Sequence, residues 1–184
     1  MAGPAFDPNG ALRFDLHRGA ASDARGARLV VLPAAAIEAL ERTQAGAVAA
    51  LGAELGRACG AKIAARLGGD GGVRNAQLEV VVSHLAGELA VAGVGAIHLE
   101  RWGRAMVCVV TNASVPSDVF LGSVIGNAIG AASGREVVAA AIGRDGDAAR
   151  FFVGTAKTAE RVRGLVAQGK PYAEIVASIQ EGAS

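Results

Sequence analysis

The chain has 184 residues, of which 41 are alanine and 26 glycine, so more than a third of its positions carry one side-chain carbon or none. Large aliphatics still recur along the whole length, and 18 basic residues face 17 acidic ones. This excludes a disordered chain, leaves apolar material for one compact domain, and offers no clustered basic face to follow nucleic-acid phosphates.

Residues 1–27 are rich in Pro, Gly, Ala and Ser, with one alternating piece at Leu12–Leu16, and read as a flexible tail or an added edge strand. They contain no basic segment followed by an apolar one, as a secretory signal would. The longest nearly uncharged apolar stretch, Val119 to Ser133, is too short to span hydrocarbon. A soluble cytoplasmic protein without a transmembrane segment is expected. The apolar run Arg28–Leu32 reads as a strand, and Pro33 suits the first turn of a helix running to about Arg42.

From Ala47 to Leu67 the residues Val48, Leu51, Leu55, Cys59, Ile63 and Leu67 recur at three and four, the spacing of one helical face. Gly68, Gly69, Gly71 and Gly72 around Asp70 end this helix and read as a flexible connector. A phosphate loop would follow a strand and carry Lys with Ser or Thr, and this segment has neither feature. Asn75 stands where it can cap a helix from about Ala76 to Ala92, striped by Leu78, Val81, Val82, Leu85 and Leu89. Beyond Gly93 and Gly95 the period changes to two over Ile97–Trp102, and with Ala105–Thr111 this predicts an antiparallel hairpin.

Ser117 caps a further helix to Ser133, ended by Gly134. Arg135–Ile142 and Ala148–Val153 then predict a second hairpin around the turn signal Asp145-Gly146. The remainder, 155–184, is a helical extension capped by Thr155 or Thr158 and broken at Gly169-Lys170-Pro171. Its apolar residues Val162, Leu165, Ile175 and Ile179 need a surface to cover: the chain's own sheet, a dimer mate or another protein.

Two glycine series stand out. Gly52, Gly56 and Gly60 share an edge of the second helix, and Gly122, Gly126 and Gly130 an edge of the helix after Pro116. Each glycine opposes helix formation by about 1 kcal/mol relative to alanine, so something must offset them. Two uses fit: close approach of another helix, or room for an apolar ligand.

Constellations for chemistry are sparse. Cys59 and Cys108 lie in apolar surroundings and read as buried thiols. His98 with Glu100 supplies only two of the ligands a zinc site needs and reads as a solvated strand face; His84 with Glu88, at helical spacing, reads as a surface pair or helix-face hydrogen bond. No nucleophile, base and orienter assemble, so no metal, no cofactor and no catalytic residue is expected. Trp102, flanked by Arg101 and Arg104 at a hairpin tip, is the candidate anchor for a partner protein.

In content and order, the segments "ALGAELGRACGAKIAARLG", "IHLERWGRAMVCVVTNAS", "DVFLGSVIGNAIGAASG" and "EVVAAAIGRDGDAARFFVG" resemble the superfamily that joins vinyl-reductase-type hydrocarbon-binding domains with the small TRAPP subunits. The resemblance covers residues 28–154. It implies an α/β (α+β) fold with helices packed on one side of a small antiparallel sheet, commonly dimeric through its helices. In the bacterial branch such domains bind apolar or aromatic molecules; in the TRAPP branch they are assembly subunits whose complexes act on small GTPases. Two departures limit the transfer. The strand Asp147–Val153 lacks the cysteine that many hydrocarbon-binding relatives carry there, and the end of the first helix, Leu40–Thr43, lacks the acylated cysteine of one TRAPP subunit.

The sequence therefore favours a non-enzymatic homodimeric module that holds a small apolar molecule or fatty acid between helices. The residues placed around it are Leu51, Leu55, Gly56, Cys59, Leu85, Leu89, Phe120, Val124, Ile125 and Gly126. A protein-interaction scaffold of the TRAPP type, acting with a small GTPase, is the alternative, and an enzyme the third.

Overall fold

The computed structural model describes residues 6–44, 46–103 and 105–181. A three-stranded antiparallel meander opens the chain: β1 (Leu12–Asp15), β2 (Ala20–Asp23) and β3 (Arg28–Leu29). Four helices follow, α1 (Ala34–Thr43), α2 (Ala47–Arg66), α3 (Gly69–Asn75) and α4 (Leu78–Val91). The hairpin β4 (Ala96–Trp102) and β5 (Ala105–Thr111), helix α5 (Asp118–Ser133), and the hairpin β6 (Val138–Asp145) and β7 (Ala148–Gly154) come next. Helices α6 (Ala156–Ala167) and α7 (Tyr172–Glu181) end the described chain. The second sheet is antiparallel throughout, in the order β4-β5-β7-β6, which leaves β4 and β6 as its edges.

β5 explains how the layers stack. Its residues alternate faces, and both faces are buried, so the strand reads as an unbroken apolar run. Cys108 and Val110 join Phe151 and Val153 of β7 beneath α2, α4 and α5 in one core cluster. Ala105, Val107 and Val109 join Phe152, Ala140 and Ile142 on the opposite face, where Ala159, Val162, Ile175 and Ile179 of α6 and α7 cover them. The mixed α+β class expected from the sequence is what the structure shows. The large helices α2, α4 and α5 lie on one side of the sheet as expected, and the terminal pair adds a layer on the other. The surface that the terminal helices cover is thus the chain's own sheet.

The two glycine stripes have separate partners. A side-chain carbon at Gly52 would stand 2.8 Å from the Phe120 carbonyl oxygen, and carbons at Gly56 and Gly60 would collide with the carbonyl oxygens of Val124 and Ala128. The bare edge of α2 makes room for the backbone of α5. The bare edge of α5 faces strand β6 instead: carbons at Gly122 and Gly126 would lie 3.1 Å from the Ala139 oxygen and 3.0 Å from the Ala139 nitrogen. Edge strand β6 is thereby shielded along part of its backbone by a helix.

Helix boundaries match their sequence signals where caps are made. Ser117 Oγ accepts from the Phe120 N–H at 3.3 Å, Thr155 Oγ1 accepts from the Thr158 N–H at 3.3 Å, and Gly134 closes α5 at φ 66°. Three expectations change. The glycine-rich segment after α2 is a short helix, α3, rather than a flexible connector, held by a 3.0 Å Asp70–Arg74 pair one turn apart and by burial of Val73. Asn75 ends α3 and does not cap α4, whose N-cap is Gln77 without a side-chain bond. The strand read at Arg28–Leu32 is confined to Arg28–Leu29, and Val30, Val31 and Leu32 are exposed.

Candidate functional site

A concavity with a bulky apolar lining lies between α3, α4, α5 and the β4–β5 hairpin. It holds about 240 Å3 and is lined chiefly by Val73, Leu78, Val81, Leu85, Leu99, Met106 and Ile129. The local pattern on each element produces it. Leu78, Val81 and Leu85 project from one face of α4, while period-two alternation turns Leu99 of β4 and Met106 of β5 to the same side of the sheet. Val81, Leu99, Met106 and Ile129 are only half-buried, and Leu78 is 48% exposed, so the lining is apolar surface that the protein itself leaves uncovered. A second lobe of about 280 Å3 shares Leu78, Leu99 and Met106 and extends along the hairpin to Glu100 and Arg101.

A different groove, about 550 Å3, runs along the outer flank of α5 between edge strand β6 and α6. Gly122, Gly126, Asn127, Ala139, Arg163 and Val166 are among its lining residues. The space beside Gly126 is therefore this open trough rather than a tunnel between helices. Its floor is backbone and small side chains, and Arg144 clamps one end to Asp118 at 2.6 Å.

The ten residues expected around an apolar ligand are divided among different places. Leu85 lines the inner cleft and Gly126 the outer groove. Cys59, Leu89, Phe120, Val124 and Ile125 are buried in the core cluster beneath α2, α4 and α5, with Leu51 and Leu55 half-buried against it. Gly56 abuts Val124. Sequence reasoning missed Leu99, Met106 and Ile129, although the alternation around Leu99 was visible.

Trp102, Arg101 and Arg104 were placed together as a partner anchor. Arg104 lies outside the described residues. Arg101 turns its Nε to the Gly103 carbonyl at 3.2 Å. Trp102 donates its indole N–H to Glu100 at 2.9 Å and stands edge-on to the Tyr172 ring, 5.1 Å between centroids, with 39% of its surface exposed.

Beneath the N-terminal meander lies a buried ionic cluster. Asp23 pairs with Lys62 at 3.0 Å and Glu88 pairs with Arg66, both acids being almost fully buried. Phe6 packs edge-on to His84 and under the Arg66 guanidinium, over the bare Gly87. His84 and Glu88 are therefore buried rather than a surface pair, and Glu88 finds its partner on α2. The Lys62 ammonium and two backbone N–H groups hold the Asp23 carboxyl below its ordinary range against the opposing effect of burial.

Both thiols are buried, which disfavours the reactive thiolate. Burial, and next the charge of Glu88, pushes Cys59 up to about 11, and burial pushes Cys108 up to about 12. Among the described residues no group of three or more His, Cys, Asp or Glu is placed to hold a metal ion, and no helix is long and apolar enough to cross a membrane.

No family model and no curated protein matches the chain. Among solved structures, the crystal structure of the phenol-responsive sensory domain of the transcription activator PoxR with phenol is similar, with a TM-score of 0.60 at 14% identity over 88% of this chain and 92% of that one. At that identity the likeness is one of fold.

Proposed function

We propose that the chain is a non-enzymatic module that binds a small, largely apolar molecule in the cleft between α3, α4, α5 and β4–β5. The observation that carries this reading is the set of half-buried Val81, Leu99, Met106 and Ile129 side chains around about 240 Å3 of space. A cavity of about 150 Å3 lined by aliphatics accepts a benzene ring, so this cleft has room for one ring with a substituent. The fold shared with a phenol-responsive sensory domain supports the same reading. Removing about 150 Å2 of ring surface from water, at about 25 cal/mol per Å2, contributes about 4 kcal/mol, a millimolar affinity before the losses of association.

Thermal unfolding of the full chain with toluene, indole or benzoate tests the reading. At least one probe is expected to raise Tm in the wild type and to lose that effect in Leu99→Trp, whose larger ring fills the space shared by the two lobes. Unchanged Tm with every probe overturns it.

The module is proposed to act as a homodimer. Leu12, Phe14, Val30, Val31 and Leu32, in and just after the N-terminal meander, are exposed, and a second copy of the chain would cover them. Light scattering on the wild type and on Phe14→Asp checks this; a monomeric wild type rejects it. A second reading, an assembly scaffold of the TRAPP type, draws on the exposure of Trp102, and predicts that Trp102→Ala, not Leu99→Trp, abolishes association with a partner protein.

A further inference from the structure

Apart from Arg74, Ser133 and Arg135, every residue lining the inner lobe of the cleft is apolar, and no Asp or Glu lines it. The two guanidinium groups in this lining call for a ligand that accepts hydrogen bonds. Guanidinium groups donate and cannot accept. The Ser133 hydroxyl already donates to the Ile129 carbonyl at 2.7 Å. The charges are unequal too. Asp70, the acid beside this end of the cleft, lies against Gly134 and has both oxygens engaged, Oδ1 by the Gly71 N–H at 2.9 Å and Oδ2 by Arg74 at 3.0 Å, while Glu100, in the adjoining lobe, accepts from the Trp102 indole N–H at 2.9 Å. Arg135 makes no ion pair among the described residues. Arg135 thus brings a guanidinium without an ion-pair partner among the described residues to the lining of an apolar pocket. A group that only accepts hydrogen bonds and carries one negative charge matches it.

We propose that the ligand of this cleft is a monocarboxylate with a ring-sized apolar body, whose acid group is received by Arg135 and whose body lies against Leu85, Leu99, Met106 and Ile129. The proposal rests on reading the cleft as a binding site and names the chemistry of what enters it. The aliphatic walls supply contact without direction, and the guanidinium fixes which end of the ligand faces solvent.

Calorimetric titration of the full chain with benzoate and with benzyl alcohol, alike in size but differing in charge, tests it. Benzoate is expected to bind roughly tenfold more tightly or better at low salt, the scale of one charge-assisted hydrogen bond, with the advantage shrinking as ionic strength rises. In Arg135→Gln, an exposed position whose change leaves the core intact, benzoate is expected to fall to the affinity of benzyl alcohol. Equal affinities in the wild type, or a benzoate preference that survives in Arg135→Gln, overturn the proposal. Binding of benzyl alcohol alone also overturns it while leaving the cleft a binding site, whereas binding of neither probe removes both.

Discussion

Gly56 of α2 lies against the carbonyl oxygen of Val124 on α5, with no space for even a methyl group between the two backbones. By intrinsic propensity alone, Gly56→Ala would favour the helix by about 1 kcal/mol. The contact reverses the sign, because the nearest atoms belong to backbone and cannot rotate away. Gly56→Ala is expected to lower stability by about 3 kcal/mol, at the upper end of what overpacking costs, as read by urea unfolding. At Gly71, where a side-chain carbon would meet nothing within 4 Å, the same substitution is expected to stabilise slightly. A stabilised Gly56→Ala would show that the helices can part without loss.

The Asp23–Lys62 pair ties the N-terminal meander to α2, and its pH dependence has a definite sign. Asp23 titrates lower in the folded chain than its ordinary value of 3.8. Its stabilisation is therefore complete above that value and is lost as pH falls through the lower folded value. Lys62→Met is expected to cost about 2 kcal/mol near neutrality, less than a fully buried pair because Lys62 retains some solvent contact. The gap between wild type and variant should narrow on acidification. Denaturant melts at stepwise lower pH read this directly, and a gap that stays constant into strong acid would contradict the assignment.

Much of the fold was legible because most elements carry a period or a cap. The three-and-four spacing in α2, the alternation in β4, and the Ser117 and Thr155 caps each mark local physics that tertiary contacts did not override. α3 was illegible because its sequence, GDGGVRN, opposes helix formation. It forms through the Asp70–Arg74 pair and the burial of Val73, the latter a tertiary contact. β2 was missed because Ala20-Ala21-Ser22-Asp23 contains no large apolar residue to reveal a strand. The cleft was half legible. Leu85 belongs to a visible stripe, whereas Met106 and Ile129 meet it only because β5 and α5 pack around the same space. A glycine stripe announces close approach, but not whether a helix, a strand or a ligand approaches.

Both thiols should be silent in the native protein. With Cys59 pushed up to about 11 and Cys108 to about 12, the thiolate fraction near neutral pH is negligible, and both sulfurs are buried. A chromogenic disulfide reagent is expected to find no fast-reacting thiol in the folded chain and two after denaturation. One fast thiol in the folded state would mean that the packing of α2 or β5 opens locally on the timescale of the assay.

Helix α7 is fastened to the sheet through a narrow apolar row, and the chain contains its own reporter of that attachment. Ile175 is fully buried, Val176 and Ile179 nearly so, and the single tryptophan, Trp102 on β4, stands edge-on to Tyr172 at the start of the helix. Ile175→Ala removes the most buried of these contacts and is expected to cost about 3 kcal/mol, with the loss falling first on α7 because α6 retains its own anchor, Val162. Releasing α7 takes the Tyr172 ring away from the indole and wets it. In Ile175→Ala the red shift of Trp102 emission should therefore precede the loss of far-UV circular dichroism on denaturant titration, whereas in the wild type the two transitions should coincide. Coincident transitions in the variant would show that α7 unfolds only with the whole sheet, and that the second core is as cooperative as the first.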